Sequence, residues 1–123
     1  MSTLDVLFRE SGGPHGLTFQ QERMVRDYVH DHLAATISLD HLAAVAGVSR
    51  FHFVRKFRAT LGTTPHAFVL HQRVERARTL LERTGTPIPD IAASCGFADQ
   101  PHLTREFKKR IGVTPGRYRS RQR

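Results

Sequence analysis

The chain contains an internal repeat, and this duplication limits its possible folds more than any other feature of the sequence. Residues 39–47, Leu-Asp-His-Leu-Ala-Ala-Val-Ala-Gly, correspond to residues 88–96, Ile-Pro-Asp-Ile-Ala-Ala-Ser-Cys-Gly. One residue is inserted after the glycine, and the match then continues through the pairs His52/His102, Phe53/Leu103, Arg55/Arg105, Phe57/Phe107, Leu61/Ile111, Gly62/Gly112, Thr64/Thr114, Pro65/Pro115 and Phe68/Tyr118. Because the matches fall at turns, at apolar positions and at one arginine, we interpret the chain as two copies of one structural unit.

Capping residues and apolar spacing predict helices from residue 18 onward. Thr18 and Gln21 fit a capping box, and Ser38 and Ser49 can cap two further helices that end at glycines. A long helix begins at Pro65, where proline suits the first helical position, and continues to about residue 84. Since no stretch alternates as a strand would, the pattern predicts an all-α protein.

Each copy is predicted to contain a short helix, a glycine turn and a second helix that Ser49 or Asp99 opens. Ala43 and Ala92 each lie four residues before the turn glycine, where a small side chain lets two helices cross closely. Glycine tolerates the positive φ that the turn needs. This layout is typical of a helix-turn-helix, whose second helix enters the DNA major groove.

A helical wheel separates a buried face from an outward face on each second helix. The predicted buried residues are Phe53, Phe57, Thr60 and Leu61 in the first copy and Leu103, Phe107 and Ile111 in the second. The predicted outward residues are Phe51, Val54, Arg55 and Arg58, then Pro101, Thr104, Arg105 and Lys108. An arginine can bind O6 and N7 of guanine with two hydrogen bonds, so the repeated pair Arg55 and Arg105 makes the best candidate for base recognition.

The distribution of charge also indicates a polyanionic partner. The chain has 19 Lys and Arg residues against 11 Asp and Glu residues, for a net charge of +8. Residues 1–48 contain three arginines and six Asp and Glu residues, whereas residues 49–123 contain sixteen Lys and Arg residues and five Asp and Glu residues. Such asymmetry favours nucleic acid, although a solvated surface that only confers solubility has the same composition.

The second copy carries a longer pattern that resembles a known family. Its clearest segments are residues 76–81, Arg-Ala-Arg-Thr-Leu-Leu; residues 88–92, Ile-Pro-Asp-Ile-Ala; and residues 96–118, from Gly-Phe-Ala-Asp-Gln-Pro to Gly-Val-Thr-Pro-Gly-Arg-Tyr. These residues are similar to the double helix-turn-helix DNA-binding domain of AraC/XylS-family bacterial transcription regulators. The resemblance covers about residues 18–119. It implies about seven helices in two lobes and promoter binding with RNA polymerase as partner.

The repeat and the resemblance together predict an all-α fold of two helix-turn-helix subdomains joined by a long connecting helix. The predicted divisions are residues 1–17 (tail or linker), 18–64 (first subdomain), 65–84 (connecting helix), 85–120 (second subdomain) and 121–123 (basic tail). A connecting helix of about twenty residues would be roughly 30 Å long. Because successive major grooves lie about 34 Å apart, one chain is expected to place helices 49–61 and 99–111 in adjacent grooves.

The resemblance also implies individual DNA contacts. The family's base-contacting positions fall on Arg50, Phe51, Val54, Arg55, Gln100, Pro101, His102, Thr104 and Arg105. The expected phosphate contacts, assigned from the reach of flanking basic side chains, are Lys56, Arg58, Lys108, Lys109, Arg110 and Arg117.

Three of these base-contacting residues depart from what hydrogen-bonded base recognition requires. Phe51 and Val54 are apolar, so either they contact thymine methyl groups or the first subdomain recognises less sequence than the second. Pro101 has no N–H group, so it fits a first helical turn but cannot donate to a base edge.

The length of the chain is the larger departure from the family. Most members carry an additional effector-binding or dimerisation domain, for which 123 residues leave no room. The apolar residues near the start are Leu4, Val6, Leu7 and Phe8. They are interpreted either as the end of such a domain or as a small docking segment, and either could support a dimer of an otherwise monomeric DNA-binding unit.

Other functions find little support in the sequence. His30 and His32 point to different sides of a helix, and no acidic or cysteine residue completes a metal-binding set, so we predict no metal and no cofactor. Cys95 aligns with Ala46 and is interpreted as a small buried residue. No catalytic arrangement or phosphate loop is present, so an enzyme is not expected. With no apolar run long enough to span a membrane and no secretory signal, a cytoplasmic, nucleoid-associated protein is expected.

The favoured function is therefore sequence-specific binding of double-stranded DNA that regulates bacterial transcription. The alternative is a helix-turn-helix module for protein–protein contact, with the basic face directed at an acidic partner. The matched pair Arg55 and Arg105 discriminates between them, since a protein-binding module has no need to repeat it.

Overall fold

The computed structural model describes residues 15–122, and within them the chain is entirely helical apart from turns and loops. The helices are α1 (Phe19–Asp31), α2 (Leu39–Ala46), α3 (Arg50–Leu61), α4 (Pro65–Arg83), α5 (Ile88–Ser94), α6 (Gln100–Ile111) and α7 (Pro115–Arg121). The predicted all-α fold is confirmed. The interpretation of Leu4, Val6, Leu7 and Phe8 concerns residues outside the described range.

The described chain forms two compact units. Unit 1 contains residues 15–32 and 37–68, and unit 2 contains residues 33–36 and 69–122. Helix α1 packs against α2 and α2 against α3, while in unit 2 α5 packs against α6 and α6 against α7. Each unit therefore contains one of the two repeated helix pairs.

The predicted caps begin the helices of unit 1. The Gln21 amide donates to Thr18 Oγ1 at 3.0 Å and the Thr18 amide donates to Gln21 Oε1 at 2.9 Å, which completes the capping box of α1. The Gln21 side chain also donates to the Ala46 carbonyl at 3.0 Å, so the start of α1 is joined to the end of α2. Ser38 accepts from the His41 amide and caps α2.

Both helix-turn-helix turns have the same backbone hydrogen bonding. Gly47 and Gly96 lie at φ values of 73° and 85°, the left-handed region that glycine enters without steric cost. The amide after each glycine donates to the alanine carbonyl that precedes the turn, at 3.1 Å for Ala43 and 2.9 Å for Ala92. Both alanines are buried, as close helix crossing requires.

Aromatic residues fill the core of unit 1. The rings of Phe53 and Phe57 lie 5.6 Å apart, and those of Phe57 and Phe68 lie 5.5 Å apart with an edge-to-face arrangement. The Leu17 amide donates to Thr60 Oγ1 at 2.8 Å, which holds the chain before α1 against α3. Helix α3 is thus held by the packing of one of its sides.

The core of unit 2 is mainly aliphatic, and Tyr118 of α7 packs against it. The buried residues of this cluster are Leu70, Val74, Ala77, Leu81, Ile91, Ala92, Cys95, Phe97, Leu103 and Phe107. Tyr118 packs edge-on against Phe107 at 5.5 Å, and its hydroxyl donates to Glu82, a hydrogen bond that raises the pKa of Tyr118. The Arg119 guanidinium donates to the carbonyls of Leu81, Thr84 and Thr86, which would otherwise be unpaired where α4 ends.

Residues 33–36 pack within unit 2 through Arg73 and Gly96. The Arg73 guanidinium donates to the Leu33 carbonyl at 3.2 Å and to the Ala35 carbonyl at 2.9 Å. A Cβ atom on Gly96 would lie 2.0 Å from the Leu33 carbonyl oxygen and 2.7 Å from Arg73 Nε. Gly96 is therefore required both by its positive φ and by the close approach of this segment.

The two turn glycines should differ in their tolerance of alanine. Gly47→Ala introduces only the strain of a positive φ, about 1–2 kcal/mol, since nothing lies within 4 Å of its added Cβ. Gly96→Ala adds a clash with backbone, so its loss of unfolding free energy should reach about 2–5 kcal/mol. Urea denaturation of both variants measures the difference. Equal losses would contradict the described packing of residues 33–36.

Candidate nucleic-acid interface

The two recognition helices, α3 and α6, begin and end in the same way. The His52 amide donates to Ser49 Oγ at 3.3 Å, and the His102 amide donates to Asp99 Oδ1 at 2.8 Å. Each helix ends at a glycine in the left-handed region whose amide donates to the carbonyl four residues earlier at 2.9 Å. The N-caps predicted from the sequence are confirmed, and the two helices have the same length, 12 residues each.

Burial of one face orients the other face toward solvent. Phe53 and Phe57 in α3, and Leu103 and Phe107 in α6, have no exposed surface. These four burial predictions are confirmed, whereas Thr60, Leu61 and Ile111, in the last turns of their helices, are only half-buried. The residues about 100–200° around each helix from this stripe form its solvent-facing surface.

The exposed side of α3 forms a largely apolar groove. We define the α3 groove as the cavity of about 390 Å³ lined by Leu39, Arg50, Phe51, Val54 and Arg55. The Phe51 ring is 74% exposed, far more than any other large apolar residue of the described chain. Val54 is half-buried and Arg55 is exposed, so an apolar surface lies beside a cationic one.

The exposed side of α6 forms a groove lined mainly by polar and charged residues. We define the α6 groove as the cavity of about 770 Å³ lined by Gln100, Pro101, Thr104, Arg105, Lys108 and Lys109. Pro101 lies in the first turn of the helix, as its lack of an N–H group predicts. Three cationic side chains and two hydrogen-bonding ones therefore surround one concave surface.

The structure brings together eight of the nine predicted base-contacting residues, four in each groove. His102 is the exception. Its Nδ1 accepts from the Ala98 amide at 3.4 Å, and its ring packs edge-on against Phe97 at 5.2 Å. Its side chain is thus engaged with the turn, and it does not line the α6 groove.

The predicted phosphate-binding residues are more dispersed. Lys108 and Lys109 line the α6 groove, and Arg58 and Arg117 are exposed at the end of α3 and the start of α7. Lys56 is half-buried. Arg110 Nε lies 3.9 Å from Glu106 Oε2. This carboxylate oxygen is buried and has no hydrogen-bond partner within the described residues.

The arginines of the two grooves differ in their ion pairs. Arg50 Nε lies 3.8 Å from Asp40 Oδ1, a pair so exposed that it contributes little stability. No acidic side chain of the described chain lies within ion-pair distance of Arg55 or Arg105. These two guanidinium groups are available to an anionic or hydrogen-bonding partner, at equivalent positions of the repeat.

Leu39 is the one groove residue that the sequence interpretation missed. It opens α2, and the sequence interpretation placed it only at the start of the repeat. Its repeat equivalent, Ile88, packs instead against the core of unit 2. The sequence offers no signal of this difference, because both residues are aliphatic.

Comparison with known proteins agrees with this geometry. A family model described as a helix-turn-helix domain matches residues 42–121. A transcriptional regulator from Chromobacterium violaceum, described as having an AraC-type DNA-binding domain, superposes with a TM-score of 0.79 at 30% identity, covering 84% of this chain and 92% of that one. The chain belongs to the AraC-type helix-turn-helix family. The resemblance stated from the sequence is confirmed, and membership in a family of DNA-binding regulators agrees with the expectation that the chain is not an enzyme.

Two further proteins are similar to this chain. The DNA-binding domain of AdpA, solved in complex with a target DNA, has a TM-score of 0.75 at 33% identity and covers 79% of this chain and 87% of that one. The MmsAB operon regulatory protein of Pseudomonas aeruginosa is 35% identical over 96 residues, which are 78% of this chain and 31% of the regulator. The chain thus spans about a third of the length of the curated relatives that it matches.

Two kinds of site are absent from residues 15–122. No three His, Cys, Asp or Glu side chains lie together in a way that could hold a metal ion. None of the helices in this part of the chain is both long enough and apolar enough to cross a membrane.

Cys95 lies in the core of unit 2 and takes no part in either groove. Its side chain has no exposed surface, which confirms its interpretation as a buried small residue. Burial raises the pKa of the Cys95 thiol, against smaller opposing effects from Ser94 and from the nearby Arg76 and Arg73. Burial likewise lowers the pKa of Arg73.

A buried thiol with a raised pKa should be inert in the native protein, since the thiolate is the reactive form. We expect an aromatic disulfide reagent to modify Cys95 only as fast as unit 2 unfolds, and at once in concentrated guanidinium chloride. The absorbance of the released thiolate measures the rate. Rapid stoichiometric modification under native conditions would contradict the described core.

Proposed function

We propose that this AraC-type chain binds double-stranded DNA sequence-specifically through the α3 and α6 grooves and thereby regulates bacterial transcription. The observation that carries the proposal is the repeated arginine, Arg55 in one groove and Arg105 in the other. Each is exposed, free of acidic partners, and positioned on the face opposite a fully buried stripe. The similarity to the DNA-binding domain of AdpA, which was solved in complex with a target DNA, supports DNA binding by this chain.

The α6 groove has the chemistry of direct base recognition. The Arg105 fork fits O6 and N7 of guanine, and the Gln100 amide fits N6 and N7 of adenine. Thr104, between them on the helix, can donate to or accept from either base. Lys108 and Lys109 carry compact ammonium groups suited to the phosphates that border the same groove.

The remaining basic side chains are proposed to fix the protein on the DNA backbone. They are Lys56 and Arg58 in unit 1 and Arg110 and Arg117 in unit 2. Residues 49–123 contain sixteen Lys and Arg residues against five Asp and Glu residues, which supports this assignment. Neutralisation of phosphates supplies affinity that does not depend on the DNA sequence. For Arg110, the contact requires leaving Glu106, which lies 3.9 Å away.

The family also suggests partners and a location. We propose RNA polymerase as a partner, the cytoplasm and nucleoid as location, and a DNA-binding unit that acts as a monomer. A dimer would then depend on the N-terminal segment, residues 1–17, or on an additional domain, for which the longer relatives have room.

Substitutions within the α6 groove separate base recognition from phosphate binding. Arg105→Ala should weaken binding to a selected site by about 1–3 kcal/mol and relax the preference at one base pair. Lys108→Ala should weaken binding to DNA of every sequence by a similar factor. It should also reduce the slope of log affinity against log salt concentration by about one. Fluorescence anisotropy with specific and scrambled duplexes measures both effects. Unchanged affinity and preference in Arg105→Ala would support the alternative of a protein-binding module.

The proposal of two recognition helices in one chain predicts a DNA site with two unlike boxes one helical turn apart. Inserting five base pairs between the boxes turns one of them to the opposite face of the duplex. Losing one box should cost roughly tenfold in affinity or more, since even one mismatched pair typically costs about 1–3 kcal/mol. Ten inserted pairs should restore little. A palindromic selected site, or tolerance of the five-pair insertion, would contradict the two-box arrangement.

A further inference from the structure

The two grooves occupy equivalent positions of the repeat but differ in chemistry. Phe51 and Val54 in the α3 groove correspond to Pro101 and Thr104 in the α6 groove. Leu39 adds a third apolar side chain to the α3 groove. Arg55 and Arg105 correspond, so the shared arginine sits beside an apolar surface in unit 1 and a hydrogen-bonding one in unit 2.

Nothing within the described chain covers the Phe51 ring. It is 74% exposed, and its one ring contact is edge-on to the adjacent His52 at 6.4 Å. An aromatic side chain of this size loses favourable burial by remaining in water. Burial of the exposed ring against an apolar group of a partner would therefore stabilise the complex at the α3 groove.

The charge around the ring identifies the kind of partner. Arg50 and Arg55 line the same groove as Phe51, so the partner must offer an apolar group on an anionic or acceptor-rich surface. An amphipathic helix with acidic side chains would offer both as well, but membership in the AraC-type family and similarity to a domain solved with its target DNA favour a nucleic acid. The major groove of DNA has both, since thymine presents its C5-methyl group beside acceptors and phosphates.

We propose that the α3 groove receives the C5-methyl group of a thymine, with Phe51 and Val54 as the contacting side chains and Leu39 extending the apolar surface. The inference rests on the proposed DNA-binding function and deepens it. The first box of the DNA site is then recognised by a methyl group beside the base contacted by Arg55, and the second box by hydrogen bonds from Gln100, Thr104 and Arg105.

The experiment removes single methyl groups from a site selected by the full chain out of a random duplex pool. Each thymine is replaced in turn by deoxyuridine, which lacks only the C5-methyl group, and affinity is measured by anisotropy at one salt concentration. In one box, at least one replacement should weaken binding about three- to fivefold, as expected for one lost apolar carbon. Replacements in the other box should have smaller effects.

Protein variants attribute that loss to the groove. In Phe51→Ala the ratio of thymine to deoxyuridine affinity should fall most of the way to one, because only Val54 and Leu39 would remain to contact the methyl group. Val54→Thr, which exchanges one methyl for a hydroxyl with little change of shape, should reduce the ratio in part. Phe19→Ala is the matched control, because Phe19 is the other exposed phenylalanine of unit 1, at 46%, and lies outside the groove. It should keep the full ratio.

A cytosine arm distinguishes the methyl group from the rest of thymine. At the sensitive position, a duplex with 5-methylcytosine should bind the unaltered chain about three- to fivefold more tightly than one with cytosine, as the same lost carbon predicts. Phe51→Ala should reduce this preference by a similar proportion.

The possible failures are distinguishable. If no specific site can be selected, the proposed function itself fails. If a site is selected but no deoxyuridine weakens binding, the inference is overturned while the function stands. A thymine preference that survives unchanged in Phe51→Ala, or a 5-methylcytosine that binds no better than cytosine, also overturns it.

Discussion

The arrangement of this protein depends on the burial of one pair of side chains in each recognition helix. Phe53 with Phe57, and Leu103 with Phe107, are spaced four residues apart and are completely removed from water. This burial fixes the rotation of each helix about its own axis, because a turn of about 100° would expose an apolar side chain and bury a charged one. The positions of Arg55 and Arg105 follow from that rotation, so their exposure is a consequence of the core.

Much of this could be predicted from the sequence because the determinants are local. Ser49 and Asp99 cap the helices that follow them, and Gly47 and Gly96 end the turns, in each case through contacts within a few residues. Helical periodicity then assigns the faces, which accounts for eight of the nine predicted base-contacting residues lying in the two grooves. Their individual roles toward DNA stay predictions.

The features that could not be predicted depend on contacts between residues distant in sequence or on details of side-chain direction. Arg73 hydrogen bonds residues 33–36 into unit 2, across about forty positions of the chain, and no pattern in those residues signals it. His102 matched the family pattern, yet its ring nitrogen pairs with the Ala98 amide. Such pairings arise from the geometry of a turn, which a helical wheel does not describe.

The repeat separates what the fold requires from what the surface is free to vary. Positions that the turn and the core need are alike in both copies, such as Ala43 and Ala92, because a larger side chain there would push the helices apart. At the outward positions the copies have diverged: Val54 and Thr104 have nearly the same shape but differ by one hydroxyl. A change of that kind leaves the packing of the helix intact while it alters what the groove can bind. Two copies of one stable unit can therefore present different chemistry to two parts of one DNA site.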